Sequence, residues 1–298
     1  MDYSIIEKIL KQENIKYTTI TKSNTGFTNQ VFFIDDKYVI KLCGEHTKPK
    51  KLENEIAFYN NVKLDCIPKY IADGNVGNTR YLIIEKLKGH SLFNIWHTLD
   101  NTTRNNIVVK ICDILNQFHS CDYRYLSSQL IDDNWLEIMY RRFDKNIDVL
   151  SKRGFDTQFM LDFKQHQSEN IFTQQKMCLI YNDAHFDNFI YNDGEVKLID
   201  FDRVKYASID YELLIIKQML DNPMKFAGEE DEPNVKMADY DGIYETIKKL
   251  CPDMFNFKCI DDRVFVYQFL YNLGNAYEYD RNNWIEEEIA KFKNHFNL

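Results

Sequence analysis

The stretch Cys178-Leu-Ile-Tyr-Asn-Asp183-Ala-His-Phe-Asp-Asn188-Phe-Ile-Tyr-Asn192-Asp-Gly194-Glu-Val-Lys-Leu-Ile-Asp200-Phe-Asp202 decides how this 298-residue chain is read. It opens on an apolar strand and passes into a polar loop that begins at Asp183. A short strand follows, then the turn Asn192-Asp-Gly194, then a second apolar strand, so the last two strands form a hairpin. A hairpin of this length brings Asn188, at its start, back to Asp200, at its end. An amide and a carboxylate that converge, with Asp202 close by, suit Mg²⁺, a hard cation that takes oxygen ligands. Asp183 is then left to accept a proton from a hydroxyl nucleophile.

Upstream of this island, residues 3–13 carry Ile5, Ile6, Ile9 and Leu10 at helical spacing. From Tyr17 to Leu42 the pattern is that of strands, with Asp35-Asp36 as a hairpin turn before Lys37–Leu42. Residues 50–62 read as a helix with Leu52, Ile56 and Tyr59 on one face, and Tyr81–Glu85 as a buried strand. Lys88-Gly89 is a break suited to joining two lobes. Beyond it helical periodicity predicts helices over 101–120, 132–150, 156–174, 208–220, 236–250, 261–278 and 283–296, interrupted by the β island. Ten glycines and five prolines are about 5% of the chain against a usual ~12%, which also argues for long helices. The expected fold class is α+β: a small β-rich lobe over 1–88 and a larger, mainly helical lobe over 89–298.

A net charge of −9 argues against a nucleic-acid partner, which would favour a basic protein, and against an anionic membrane surface. Met1–Leu10 lacks a basic start and an apolar run, so no signal peptide is expected. No apolar run is long enough to span a bilayer. Seven scattered cysteines without a Cys-x-x-Cys pair read as reduced thiols of a cytoplasmic protein with no zinc site. A monomer or a homodimer is expected.

Asp183-x4-Asn188 followed by Leu-Ile-Asp200-Phe-Asp202 resembles the catalytic and metal motifs of the aminoglycoside phosphotransferase and choline kinase family, small-molecule kinases with a protein-kinase-like fold. Asp183, His185, Asn188 and Asp200 stand at matching positions. The resemblance implies Asp183 as the catalytic base, Asn188 and Asp200 as Mg²⁺ ligands, and Asp202 as a supporting ligand. Tyr181 and Asn182 replace the usual His-Gly ahead of the base, and Ala207-Ser-Ile-Asp-Tyr-Glu212 replaces the usual Asp-Pro-x-x-Asp. In the first lobe Tyr38-Val-Ile-Lys41 resembles the Val-Ala-Ile-Lys of kinases. Fourteen residues on, Glu55 stands where the family places the partner of that lysine, with Glu53 the weaker candidate. Thr25 and Gly26, in the polar turn Ser23–Gln30, fit the loop that covers the nucleotide phosphates. Glu85 and Leu87 fit the hinge that reads the base. His119 is read as structural and His185 as a loop hydrogen-bonder. The co-substrate implied is ATP or GTP with Mg²⁺.

Residues 1–88 hold 14 Lys+Arg against 11 Asp+Glu, and the remainder holds 23 against 35, so a balance of +3 is followed by one of −12. An acidic cleft concentrates cations. The expected acceptor is therefore cationic, an aminoglycoside-type antibiotic first, with Asp187, Asp210, Glu212, Glu278 and Asp280 as candidates to line its site. The alternatives are a kinase of choline, ethanolamine or a sugar, a metal-dependent hydrolase using Asp183, His185 and Asp200, and an inactive kinase-like binding protein.

Overall fold

Alternation along two neighbouring strands explains the first part of the molecule. Ile40 and Leu42 point to one face of a sheet together with Tyr81 and Ile83, while Leu82 and Ile84 point to the other. The first face packs on Ile6, Ile9 and Leu10 of helix α1 (Ser4–Gln12), which are fully buried. The second packs on Leu52, Ile56 and Tyr59 of helix α2 (Pro49–Asn61), the face that helical spacing predicts. The computed structural model describes residues 3–23, 29–43, 49–122, 134–228 and 231–298. Thr25 and Gly26 lie outside the described residues.

The sheet has five antiparallel strands: β1 (Ile20–Lys22), β2 (Asn29–Ile34), β3 (Tyr38–Cys43), β4 (Tyr70–Val76) and β5 (Thr79–Glu85), in the order β1-β2-β3-β5-β4. β4 was not anticipated from the sequence, since its half-exposed residues carry no strong apolar alternation. The expected turn at Asp35-Asp36 is present, and both residues have positive φ, 50° and 51°, as a primed hairpin turn requires. The Asp35 carboxylate accepts hydrogen bonds from Thr18 N at 2.9 Å, Thr19 N at 2.6 Å and both threonine hydroxyls, at 2.7 and 2.9 Å.

After β5 the chain reaches Gly89. Its φ is +115°, and a Cβ there would collide with the carbonyl oxygen of Tyr191, so only glycine passes without strain. Then come β6 (His90–Ser91), α3 (Leu92–Ile95), α4 (Asn101–His119), α5 (Trp135–Lys152), α6 (Gln158–His166) and α7 (Ser168–Phe172). Asp100 caps α4 by accepting from Thr103 N at 2.8 Å. The single helix expected over 156–174 divides at Gln167, whose backbone leaves the helical region.

The island supplies β7 (Met177–Ile180), β8 (Phe189–Asn192) and β9 (Glu195–Leu198), with Asp193 and Gly194 at φ 47° and 88° in the turn. β10 (Lys205–Ser208) pairs with β7, and β8 lies between β6 and β9. Helices α8 (Leu213–Asp221), α9 (Ile243–Leu250), α10 (Ile260–Glu278) and α11 (Asn282–Phe296) complete the molecule. α8 is buried nearly all round, as a central helix must be. The helix expected over 236–250 starts only at Ile243, because Gly242 takes φ +77° and ends the preceding turn. The α+β architecture with a small β-rich part and a large helical part is as expected. None of the described helices is long and apolar enough to cross a membrane.

The donors on Asp35 hold its carboxyl down to about 2, the Thr18 hydroxyl first among them. The folded state therefore favours the ionised form, and this stabilisation is full above the unfolded value near 4 and is lost as pH falls through about 2. Chemical denaturation from pH 6 to pH 2 should show wild type losing stability relative to Asp35→Asn, which cannot ionise. Parallel curves would refute this origin.

Candidate active site

β3 alternates Ile40 into the α1 side and Lys41 into the α2 side, opposite Leu82. Lys41 Nζ there lies 2.7 and 3.0 Å from the two oxygens of Glu55, and 2.9 Å from Asp200 Oδ1. Glu55 is fully buried. Glu53, the weaker candidate, turns outward to Arg80 at 2.8 Å. Burial raises the Glu55 carboxyl, and the Lys41 ammonium opposes this. Burial also acts on Asp200, but there the Lys41 ammonium wins and holds the carboxyl below the usual range. Burial would lower Lys41, yet Asp200 and then Glu55 raise it above the ordinary lysine value, so it stays charged.

The hairpin does what its length predicts. Phe189 faces Leu198 across the ladder, and Ile199 N donates to Asn188 O at 3.0 Å, so Asn188 and Asp200 meet at one end. The turn Phe186–Asn188 folds Asn188 back on the loop. Asn188 Nδ2 donates to Asp183 O at 3.0 Å and to Asp183 Oδ2 at 3.2 Å, and lies 3.1 Å from His185 Nε2. His185 is thus the loop hydrogen-bonder expected. Asp183 Oδ1 accepts from Arg203 Nη1 at 3.2 Å. Phe201 is fully buried and stacks on Phe58 of α2 at 4.2 Å, against Phe118 and Tyr181. This plug holds Asp200 at its φ of +64°.

Against this geometry, the model of the phosphotransferase enzyme family matches residues 19–241. The chain belongs to that family. No curated protein matches its sequence. Among solved structures, the phosphotransferase is similar to a gentamicin–APH(2″)-IIa complex at 20% identity and TM-score 0.66, over 98% of this chain and 96% of that one. A streptomycin–ATP–APH(2″)-IIa complex is similar at 19% identity and TM-score 0.66, over 98% and 96%. The GDP complex of aminoglycoside 2′-phosphotransferase-IIIa is similar at 16% identity and TM-score 0.65, over 99% and 98%. The fold is therefore the protein-kinase-like fold of aminoglycoside phosphotransferases.

The loop to Asp183 is clamped from below. Glu212, fully buried, accepts from Tyr181 N at 2.7 Å and Asn182 N at 2.8 Å, and its Oε2 lies 3.3 Å from His119 Nε2. Asn182 takes φ +63°, which turns the chain out of β7 into the loop that carries Asp183. Glu212 is thus a structural clamp, which removes it from the acceptor-lining set; His119 serves the same clamp. Asp210 is removed as well. It is fully buried and held by Arg263 at 2.6 and 2.9 Å and by the Tyr267 hydroxyl at 2.7 Å. Asp280 is an exposed partner of Arg153 at 2.7 Å, beyond the end of α10, and Glu278 is exposed near it. Asp187 is exposed on the turn between Asp183 and Asn188.

Asp202 is buried and tied to α2, with Lys51 Nζ at 3.1 Å from its carboxylate and Asn54 donating to its carbonyl at 3.2 Å. Burial first, then the Asp200 charge, raises its carboxyl. Glu85 ends β5, and its carboxylate accepts from Lys69 N at 3.1 Å. Glu85 and Leu87 border a cavity of about 590 Å³ that also touches Ile190 of β8 and includes none of Lys41, Asp183, Asn188 or Asp200. No local pattern in the sequence announces that Arg203 meets Asp183, or that Lys205 and Arg142 meet Tyr211.

Lys41→Met should cost about 3–5 kcal/mol of folding stability, because it leaves Glu55 buried without its cation. The double variant Lys41→Met/Glu55→Gln should recover most of that loss in a denaturation cycle. Additive losses would show that the pair is not coupled.

Proposed function

We propose that this phosphotransferase moves the γ-phosphoryl of ATP or GTP to a hydroxyl of a small molecule. The observation that carries the reading is the joining of two groups by one hairpin: Lys41 with Glu55 and Asp200, and Asp183 with Asn188. In this reading Lys41 neutralises the nucleotide phosphates and Glu55 keeps its ammonium in place. Glu85 and Leu87 present hinge backbone to the base, and Thr25 and Gly26 belong to the phosphate loop. The division of roles falls at residue 88, with the nucleotide lobe before it and the acceptor lobe after it. Asp183 orients the acceptor hydroxyl and takes its proton as the new O–P bond forms. Catalysis is then mostly positioning and electrostatics.

Asn188 and Asp200 suit Mg²⁺. Among the described residues no three His, Cys, Asp or Glu side chains converge on a metal. A nucleotide-bound Mg²⁺ needs only one or two protein oxygens besides phosphate and water. Asn188 spends its Nδ2 on Asp183, which leaves its amide oxygen for a cation, and Asp200 keeps 38% of its side chain exposed. Bound there, the ion would offset charge on the transferred phosphoryl group. Seven free thiols support a reducing, cytoplasmic location.

For the acceptor, the gentamicin and streptomycin complexes of fold relatives support an aminoglycoside. The basic side chains near Asp183 favour a different acceptor charge.

Asp183→Ala should lower turnover by about 10³-fold or more, the scale of a lost general base, with nucleotide affinity nearly unchanged. Nucleoside diphosphate release and nucleotide titration measure the two separately. Normal turnover by that variant would overturn the assignment of the base.

A further inference from the structure

Three basic side chains that the proposed reaction does not use gather at Asp183 and at Tyr211 nearby. Arg203 Nη1 is 3.2 Å from Asp183 Oδ1. Lys205, two residues on, opens β10 opposite Ile180, at the end of β7 where the loop to Asp183 departs. Its Nζ sits 4.1 Å from the centre of the Tyr211 ring. Arg142 of α5 lies over the same ring at 4.8 Å and donates a hydrogen bond to the Tyr211 hydroxyl. Tyr211 itself is buried, wedged edge-on against Trp135 at 5.2 Å and Tyr267 at 4.7 Å. The ring is therefore a fixed platform that gathers two basic side chains, with Arg203 close to Lys205 in the chain.

Among the described residues, the carboxylates in reach do not balance them. Asp183 is already paired with Arg203, and both oxygens of Glu212 are taken by the Tyr181 and Asn182 N–H groups. Asp210 belongs to Arg263. Among the described residues neither Lys205 nor Arg142 has a carboxylate within ion-pair distance; their recorded partner is Tyr211. Burial, and then the Arg142 charge, hold the Lys205 ammonium well below the usual lysine range, with Glu212 and Asp183 offsetting only part of this. Lys205 and Arg142 are half-buried, and an anion placed beside them favours the charged form of Lys205 that its surroundings now disfavour. A polycationic acceptor would meet repulsion here.

We infer that Arg142, Lys205 and Arg203 form a subsite for an anionic group, phosphate or carboxylate, carried by the same acceptor whose hydroxyl Asp183 serves. The inference rests on Asp183 as the acceptor's base and names the acceptor class within that reading. Arginine offers a planar fork and lysine a point charge, the pairing that suits a compact oxyanion. An anion there would also compete for Arg203 and release Asp183 Oδ1 for the hydroxyl.

Thermal melting in the presence of AMP-PNP and Mg²⁺ tests this, because that nucleotide fills the γ-phosphate position and leaves added inorganic phosphate to bind elsewhere. Phosphate should raise the wild-type Tm further. Its apparent affinity should fall about tenfold or more in Lys205→Gln and in Arg142→Gln, and persist in Lys205→Arg, while the AMP-PNP shift is unchanged in all three. No phosphate shift in wild type, or an undiminished one in both glutamine variants, overturns the inference. If the glutamine variants do not fold, wild type alone decides: glucose 6-phosphate must stabilise it more than glucose and more than kanamycin, and any other order overturns the subsite. Failure of the kinase reading shows separately, as absence of the AMP-PNP shift, and the phosphate arm is then read without nucleotide.

Discussion

One buried ammonium ties the molecule together. Lys41 reaches from the sheet to Glu55 on α2 and to Asp200 at the end of the hairpin, so a single cation links three chain segments that lie far apart in sequence. Carboxylates as enclosed as Glu55 persist only when a counter-charge meets them. The register of β3 and the rotation of α2 are therefore constrained together, since a one-residue slip in the strand would send Lys41 into the apolar side that Ile6, Ile9 and Leu10 fill. Phe201 reinforces the same junction from the neighbouring position, because its ring stacks on α2 while its backbone positions Asp200.

A second constraint acts on the loop before the hairpin. Glu212 replaces a hydrogen-bonding strand neighbour for Tyr181 and Asn182, whose N–H groups would otherwise be buried and unpaired. That clamp lets Asn182 hold its left-handed conformation and presents Asp183 to the cleft. Asn188 then bonds both the carbonyl and the carboxylate of Asp183. The proposed base and the candidate cation ligand are in this way set by one another's geometry.

The charge of the second part shows why a sum over a segment says little about a site. The balance of −12 beyond residue 88 is real, yet Asp210 and Glu212 contribute to it from inside the protein, already matched by Arg263, Tyr267, His119 and backbone N–H groups. Asp280 contributes from an exposed corner beside Arg153. What faces Asp183 is Arg203, with Lys205 and Arg142 behind it. Placement governs the local field, because Coulomb interactions weaken with distance and with water between the charges.

The sequence by itself determined the elements whose signals are local. The Asn192-Asp-Gly194 turn sets the hairpin register that returns Asn188 to Asp200, and the turn at Asp35-Asp36 sets the strand that carries Lys41. Helical period places Leu52, Ile56 and Tyr59 inward, which fixes the side of α2 that Glu55 shares. Gly242, which breaks one expected helix, was visible as a residue but its positive φ was not, since glycine permits that conformation without demanding it. Only the tertiary structure decided which acids are interior and which cations meet at Asp183. Arg142 and Lys205 come from different elements and gather on a ring wedged by Trp135 and Tyr267, while Arg203 pairs with Asp183, and contacts of that kind leave no period or spacing in the chain.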